Sequence, residues 1–171
     1  METYVVSALP DNKHHQKLFY FLIFIKYVVL VKKCETNRGF MMNTYIGCSV
    51  IIHDENNKVL IAQRSKNKKS FPLLWETVGG ALEENEIPED CIRREVQEEI
   101  NCHIHDLKLF KVYVINNNDR FVLVVYTGRI IEPIQPNPEI EQIRWIDKSE
   151  IDNFDFYGNE CKKLLDYYDQ A

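Results

Sequence analysis

The stretch GALEENEIPEDCIRREVQEEINC, residues 80–102, joins an acidic loop to the pattern of an amphipathic helix. Its apolar residues recur at helical spacing, which predicts a helix over 87–100. Glu95, Glu98 and Glu99 are separated by three and four positions, so their carboxylates stand on one helix face and repel each other. That face needs a compensating charge unless water screens it.

Two interpretations of the acidic face follow from the residues. Most glutamate-rich helical stretches are solvated surfaces with no ligand. Alternatively, the three glutamates converge beside a backbone carbonyl of the Gly79-Gly80 pair, which allows the chain to pass close to the helix. Such an oxygen-only site suits Mg²⁺ or Mn²⁺ rather than zinc, and a bound dication would offset the repulsion.

The same stretch resembles the signature of the Nudix hydrolases, G-x5-E-x7-R-E-U-x-E-E-x-G-U, where U is a bulky aliphatic residue. Seven of the nine specified positions match over residues 80–102. The matching residues are Gly80, Glu86, Arg94, Glu95, Val96, Glu98 and Glu99. Asn101 replaces the late glycine, and Cys102 replaces an aliphatic residue. Because asparagine tolerates the left-handed conformation, we expect Asn101 to close the helix as glycine would.

The resemblance implies Mg²⁺-dependent hydrolysis of a diphosphate linked to another group, with water attacking phosphorus and metal ions clamping the diphosphate oxygens. By position, it implies that Glu95, Glu98 and Glu99 are metal ligands, joined by the carbonyl of Gly79. The expected cofactor is therefore Mg²⁺ or Mn²⁺.

Three further signature positions receive roles from the same resemblance. Arg94 corresponds to a catalytic-site residue that orients the helix carboxylates by ion pairing. Glu86 and Gly80 correspond to structural or outer partners of the site. The resemblance also implies a catalytic role for Glu95, as one of the helix glutamates.

The general base and the substrate contacts are predicted with alternatives. Glu98 is the preferred base, and the loop residues Glu139 and Glu141 are the other candidates, although an acidic loop before a strand is often only solvated. Arg64 ends a predicted strand and either binds substrate phosphate or is a solvated strand end. Asn159 lies near the place where family members that hydrolyse oxidised-guanine nucleotides read the base, but it also suits a helix N-cap.

The fold class follows from the order of strand and helix patterns. Residues 45–64 and 107–130 each predict a hairpin around a polar turn. A short strand is expected at 142–146 and a terminal helix at 159–168. Strands and helices mix without strict βαβ alternation, so we predict an α/β (α+β) protein with a mixed sheet flanked by helices. The resemblance implies a Nudix-type α/β/α sandwich.

The composition of the chain limits its function classes. The net charge of −5 and a pI near 5.6 disfavour a protein that binds nucleic acid or an anionic membrane by bulk charge. The five cysteines are scattered without a Cys-x-x-Cys pair, which favours reduced thiols in the cytoplasm over disulfides. We therefore expect a small-molecule partner and leave a homodimer open.

The first 41 residues differ in character from residues 42–171. They carry six basic and three acidic residues, a net charge of +3, against −5 for the whole chain. The apolar run LFYFLIFIKYVVLV has 14 residues, short of the ~20 that span a bilayer. The segment is interpreted as an added strand or helix, a weak membrane anchor, or a mis-assigned start. We favour the mis-assigned start slightly, because the codons of the Arg-Gly pair in RGFMM would form a bacterial ribosome-binding site just before Met41 and Met42. We predict a Nudix domain over 42–171.

The predicted activity is that of a nucleoside triphosphate pyrophosphohydrolase, which releases a nucleoside monophosphate and pyrophosphate. It is the default, because the sequence lacks the markers that the family uses for ADP-ribose, dinucleoside polyphosphates, NADH and coenzyme A. The alternative is a catalytically silent Nudix module that binds a nucleotide or a partner. The chain keeps all three helix glutamates, which favours the hydrolase.

Overall fold

The computed structural model of the protein describes residues 31–35, 41–116, 119–158 and 160–170, with side chains from residue 43 onward except at 116. The strands and helices in chain order are β1 (Val31–Glu35), β2 (Met41–Ile52), β3 (Val59–Arg64), β4 (Trp75–Glu76), β5 (Gly79–Ala81), α1 (Pro88–Ile100), β6 (His105–Asn116), β7 (Arg120–Arg129), β8 (Ile140–Ile146) and α2 (Glu160–Tyr168). A 3-10 helix at Lys148–Asn153 lies between β8 and α2.

The described strands form two sheets. In the larger sheet the order is β1-β2-β7-β6, and β5 also pairs with β2. The β2–β7 pairing is parallel and the others are antiparallel, so this sheet is mixed. The smaller sheet has the order β4-β3-β8 and is antiparallel. The mixed sheet confirms the predicted fold class.

One of the two predicted hairpins is wrong. Among the described residues, the only bridge at this turn joins His53, the residue after β2, to Val59, and β2 and β3 lie in different sheets. The cause is that residues 47–49 of β2 pair with both β5 and β7, so both edges of β2 are already occupied. The second hairpin is confirmed, since β6 and β7 pair antiparallel from Asn116 and Arg120 back toward the far ends of both strands.

The core has two parts, one against each helix. Cys48, Val50 and Ile52 of β2 pack in the cluster that contains the buried face of α1. Ile51 points the other way and packs in the cluster that contains Leu164 of α2. Alternate residues of β2 therefore pack against α1 on one face of the sheet and against α2 on the other, which is the expected α/β/α arrangement.

The amino-terminal segment is described only in part. Its residues 31–35 form β1, which pairs with the start of β2 from Met41 to Thr44. Residues 1–30 and 36–40, with most of the apolar run, lie outside the described residues. The boundary at residue 41 stays a prediction. In the described part of the chain, no helix is long and apolar enough to cross a membrane.

Both ends of helix α1 have the features that the sequence predicts. Pro88 occupies its first turn with Glu89 and Asp90, whose charges suit a helix N-terminus. At the other end Asn101 has φ 54° and ψ 40°, in the left-handed region, and its N–H donates to the carbonyl of Gln97. Its side chain accepts from Gln97 Nε2 at 2.7 Å. Asparagine thus takes the place of glycine and adds a side-chain contact.

Replacing Asn101 with valine should destabilise the protein by about 1–3 kcal/mol, because a β-branched residue resists a positive φ. Replacing Asn101 with glycine should cost less, since glycine adopts this conformation freely and only the side-chain contacts are lost. Urea unfolding of both variants measures the difference. Equal stability of the two variants would mean that the backbone conformation at Asn101 contributes little.

Candidate metal centre and adjoining cavity

Arg94 contacts three of the glutamates that the sequence assigns to the site. Its Nε and Nη2 atoms donate to the two carboxylate oxygens of Glu86 at 2.9 and 3.0 Å. Its Nη1 atom donates to Glu95 Oε1 at 2.8 Å and to Glu98 Oε2 at 3.3 Å. Its Nη2 atom also donates to the carbonyl of Ala81 at 3.1 Å. One guanidinium therefore joins α1 to β5 and offsets part of the carboxylate repulsion.

The three glutamates around Arg94 differ in exposure. The side chains of Glu86 and Glu95 are each 13% exposed, whereas that of Glu98 is 57% exposed. Hydrogen bonds from Arg94 lower the pKa of the Glu86 carboxyl, and the same contact raises the pKa of Arg94. Glu86 is thus held as an anion against Arg94, while Glu98 is more open to water than Glu86 and Glu95.

The two glycines of β5 are required by close contacts. Gly80 pairs with Cys48 of β2, and a Cβ built on Gly80 would lie 1.8 Å from Glu95 Oε1. Gly79 pairs with Ser49, and a Cβ there would lie 2.3 Å from the carbonyl oxygen of Cys48. The missing side chain of Gly80 therefore makes the space in which the Glu95 carboxylate lies.

The donor chemistry of the site fits a hard divalent cation. The acidic face of α1 offers carboxylate oxygens, and the space at Gly80 brings one of them against the β5 backbone. Among the side chains that the structure describes, no three His, Cys, Asp or Glu residues are arranged to hold a metal ion. Glu95 and Glu98 are instead turned toward Arg94. The metal-ligand roles of Gly79, Glu95, Glu98 and Glu99 stay predictions.

The loop before β8 is attached to the carboxyl end of α1. The N–H of Gln135 donates to the carbonyl of Ile100 at 2.9 Å, and the N–H of Asn137 donates to the carbonyl of Glu99 at 2.8 Å. The side chain of Asn137 donates to the carbonyl of Glu98 at 3.0 Å. These contacts satisfy helix carbonyls that have no partner within the helix. These contacts of Asn137 were not predicted from the sequence, where the pair Asn137-Pro138 indicates only a turn.

The structure places the alternative base Glu139 in an ion pair with Lys68. Its N–H donates to Asn137 Oδ1 at 2.8 Å, and its carbonyl accepts from Ser65. Glu141 lies 3.8 Å from the ammonium of Lys66. Glu139, in the loop, and Glu141, in β8, thus contact lysines of the segment after β3, and the roles of both as alternative bases stay predictions.

Arg64 is almost fully buried, at 1% exposure, so the alternative of a solvated strand end is wrong. Its Nη1 atom donates to both oxygens of Glu76 at 2.8 and 3.0 Å. Its Nε and Nη2 atoms donate to the carbonyls of Ser70 and Phe71. All three guanidinium nitrogens therefore bind the protein, and the substrate contact of Arg64 stays a prediction.

A cavity of about 120 Å³ adjoins the glutamate face and shares Gly79 and Gly80 with it. Its walls are mostly apolar, and the rings of Tyr45 and Phe121 stack in them with centroids 5.1 Å apart. Besides Tyr45, its lining residues with a hydroxyl or carboxylate are Ser49, Glu76, Thr77, Tyr157 and Glu160. The predicted base-reading residue Asn159 lies outside the described residues, and its role stays a prediction.

Comparisons with known proteins identify the family. The NUDIX domain family matches residues 44–166. An 8-oxo-dGTP diphosphatase of Proteus vulgaris is 37% identical over 76 residues, which cover 44% of this chain and 67% of that protein. A prenyl-diphosphate phosphatase of Methanosarcina mazei is 28% identical over 107 residues, 60% of this chain and less than two thirds, 63%, of that protein.

Solved structures share the fold. The crystal structure of a MutT protein from Methanosarcina mazei Go1 superposes with a TM-score of 0.61 at 18% identity, covering 74% of this chain and 94% of that one. At this identity the likeness concerns the fold alone. The α/β/α arrangement described above is therefore that of solved MutT proteins.

Proposed function

The chain belongs to the Nudix family of hydrolases, and we propose that it cleaves a nucleoside triphosphate into a nucleoside monophosphate and pyrophosphate. Members of this family generally need divalent metal ions. The observation that carries the proposal is that an apolar, aromatic cavity and the glutamate face of α1 meet at Gly79 and Gly80. One ligand can therefore place a ring in the cavity and a diphosphate at the glutamates.

The charges around the cavity support this orientation of the substrate. Among its lining residues, Glu76 is paired with buried Arg64, and Glu160 is paired with buried Lys163. The positive and negative charges cancel, so the cavity suits the uncharged end of a ligand rather than its phosphates. The stacked Tyr45 and Phe121 rings suit a flat aromatic group such as a nucleobase.

The metal-binding part of the proposal uses the acidic face of α1. Glu95, Glu98 and Glu99, with the carbonyl of Gly79, are the proposed ligands of Mg²⁺ or Mn²⁺. A cation there would neutralise the diphosphate and polarise its bridging bond. Arg94 keeps Glu95 and Glu98 on the side of β5, and Glu86 holds the guanidinium of Arg94 in turn.

The hydrolysis step requires a base beside an attacking water. We assign this role to Glu98, whose side chain is 57% exposed, whereas that of the neighbouring helix residue Glu95 is 13% exposed. The oxygen of water bonds to one phosphorus atom of the scissile bridge, the P–O bond of the bridge breaks, and Glu98 accepts the proton of the water. Pyrophosphate and the monophosphate leave as anions.

A second substrate class is supported by the apolar cavity wall. Apart from the polar side chains named above, the lining consists of residues such as Ile46, Val122 and Leu123, which suit an isoprenoid chain as well as a base. The Methanosarcina relative is a prenyl-diphosphate phosphatase. The products distinguish the two substrates, because a nucleoside triphosphate yields pyrophosphate and a prenyl diphosphate yields orthophosphate.

The test is a substrate panel in which each reaction is stopped by heat and then incubated with excess Mg²⁺, with or without inorganic pyrophosphatase, which itself needs Mg²⁺. The panel contains the four dNTPs, 8-oxo-dGTP, and geranyl and farnesyl diphosphate, each with Mg²⁺, with Mn²⁺ and with EDTA. We expect metal-dependent phosphate release from a nucleotide only when pyrophosphatase is present. Release of orthophosphate from a prenyl diphosphate without pyrophosphatase would identify the prenyl diphosphate, rather than the nucleotide, as the substrate. The absence of metal-dependent turnover on every compound would refute both assignments and favour a silent module.

A further inference from the structure

A buried lysine of α2 lies next to the cavity and has no role in the proposed chemistry. Lys163 is 1% exposed, and its ammonium donates three hydrogen bonds. These go to Glu160 Oε1 at 2.6 Å, Thr77 Oγ1 at 2.6 Å and Ser49 Oγ at 2.7 Å. All three protons of the ammonium are therefore used within the protein.

The partners of Lys163 are also bonded to each other. Glu160 Oε2 accepts from both the N–H and the hydroxyl of Thr77 at 2.9 Å. The hydroxyls of Ser49 and Thr77 lie 2.6 Å apart. We call these four residues, Ser49, Thr77, Glu160 and Lys163, the lysine network. It leaves no charge or hydroxyl without a partner, and burial lowers the pKa of Lys163 while Glu160 opposes that shift.

The stability of the fold does not by itself account for such a network. Replacing a buried ion pair by well-packed apolar residues is often neutral or stabilising, because two charges must lose their water. Ser49, Thr77 and Glu160 also line the cavity, so the network forms its polar wall. Its location therefore points toward a role in the site.

The network contacts the two segments that place the glycine pair, which are β2 and the link between β4 and β5. Thr77 precedes Gly79 by two residues, and Ser49 is the residue of β2 that pairs with Gly79. The contact is close, because a Cβ on Gly79 would lie 2.7 Å from the Cα of Ser49. Gly80 follows at once and lies against Glu95 of α1. A continuous set of contacts therefore runs from Lys163 through Thr77 and Ser49 to Glu95.

We propose that Lys163 is a positioning residue, which holds the segment from Thr77 to Gly80 in register with the acidic face of α1. This inference rests on the proposed function, since it assigns Lys163 to the same site. Lys163 touches neither the substrate nor the reacting atoms in this proposal. It acts through the β5 backbone, by fixing how closely that backbone approaches Glu95.

The experiment compares three variants of the full chain. Lys163→Met removes the ammonium, and Thr77→Val removes one hydroxyl with little change of shape and no change of charge. Leu164→Ala is the matched control, because Leu164 is fully buried on the same helix and contacts the core rather than the network. Each variant is assayed for thermal unfolding, for kcat and KM on the preferred substrate, and for Mn²⁺ affinity by electron paramagnetic resonance without substrate.

A positioning role predicts a defect that stability does not explain. Thr77→Val and Lys163→Met should weaken Mn²⁺ binding about 10-fold or more, as loss of a residue that orients metal ligands does. We expect kcat to fall by a similar factor with KM changed much less, while Leu164→Ala lowers the melting temperature and leaves both quantities near those of the wild type. Mn²⁺ affinity and kcat unchanged in Thr77→Val would overturn the proposal.

The design separates this inference from the proposed function. If Lys163→Met does not fold, the Thr77→Val variant alone tests the proposal, since it retains the buried ion pair between Lys163 and Glu160. If the wild type hydrolyses no nucleotide, the proposed substrate fails, but Mn²⁺ affinity without substrate still tests the positioning role. Equal loss of Mn²⁺ affinity in all three variants would identify the lysine network as a purely structural element.

Discussion

Replacement of Glu98 by glutamine should lower kcat between about 100-fold and 10,000-fold, the range associated with loss of a general acid or base. Glutamine keeps the size of the side chain but neither accepts a proton from water nor offers an anionic ligand. Steady-state kinetics at saturating Mg²⁺ measure the effect. The fold should survive, because the Glu98 side chain is 57% exposed and makes only a 3.3 Å contact with Arg94.

The control for this variant is Asp90→Asn on the same helix. Asp90 is exposed in the first turn and lies off the face that carries Glu95 and Glu98. Its replacement removes the same charge and should leave kcat within about threefold of the wild type, since only a weak helix-dipole interaction is lost. Turnover by Glu98→Gln equal to that of Asp90→Asn would remove Glu98 from both the metal site and the base role.

Replacement of Gly80 by alanine should lower kcat about 100-fold with little loss of stability. The added Cβ would lie 1.8 Å from Glu95 Oε1, so the carboxylate must move away from β5. That carboxylate is the end of a flexible side chain, which can rotate without disturbing the backbone. A displacement of about 1 Å in a catalytic group is enough for a loss of this size.

The neighbouring Gly79→Ala variant should show the reverse pattern. Its Cβ would meet backbone atoms of β2, the carbonyl oxygen of Cys48 at 2.3 Å and the Cα of Ser49 at 2.7 Å. Because the strand pair has to separate, we expect a loss of at least about 1–3 kcal/mol in stability. Unfolding curves and kcat of the two variants, measured together, test both expectations. Unchanged activity of Gly80→Ala would mean that the position of Glu95 is not critical.

The local features of the site were predictable because they depend on neighbours in the chain. The spacing of Glu95, Glu98 and Glu99 and the apolar stripe beside them predict α1, and the structure confirms the helix. The left-handed conformation of Asn101 is confirmed for the same reason, since a helix end is a local event. Arg94 contacts Glu86 and Glu95, and the orienting role that the family resemblance implies for it stays a prediction.

Features that depend on strand pairing were not predictable to the same degree. The alternation over residues 45–64 indicated two strands, but not that β5 and β7 would occupy both edges of β2 and send β3 into another sheet. For Arg64, position in the sequence suggested phosphate or solvent as its partner. The structure pairs it with Glu76, because β3 and β4 lie side by side and bring the two residues together.

The sequence by itself determined the family, the helix that carries the glutamates and the chemical type of the proposed site, because these depend on residue identity at short spacing. Only the tertiary structure decided that Gly80 makes room for Glu95, that a cavity adjoins the site, and that Lys163 binds Ser49 and Thr77, 114 and 86 residues away. The physical reason is that a buried charge depends on the partners that surround it, and sheet pairing brings those partners from distant parts of the chain.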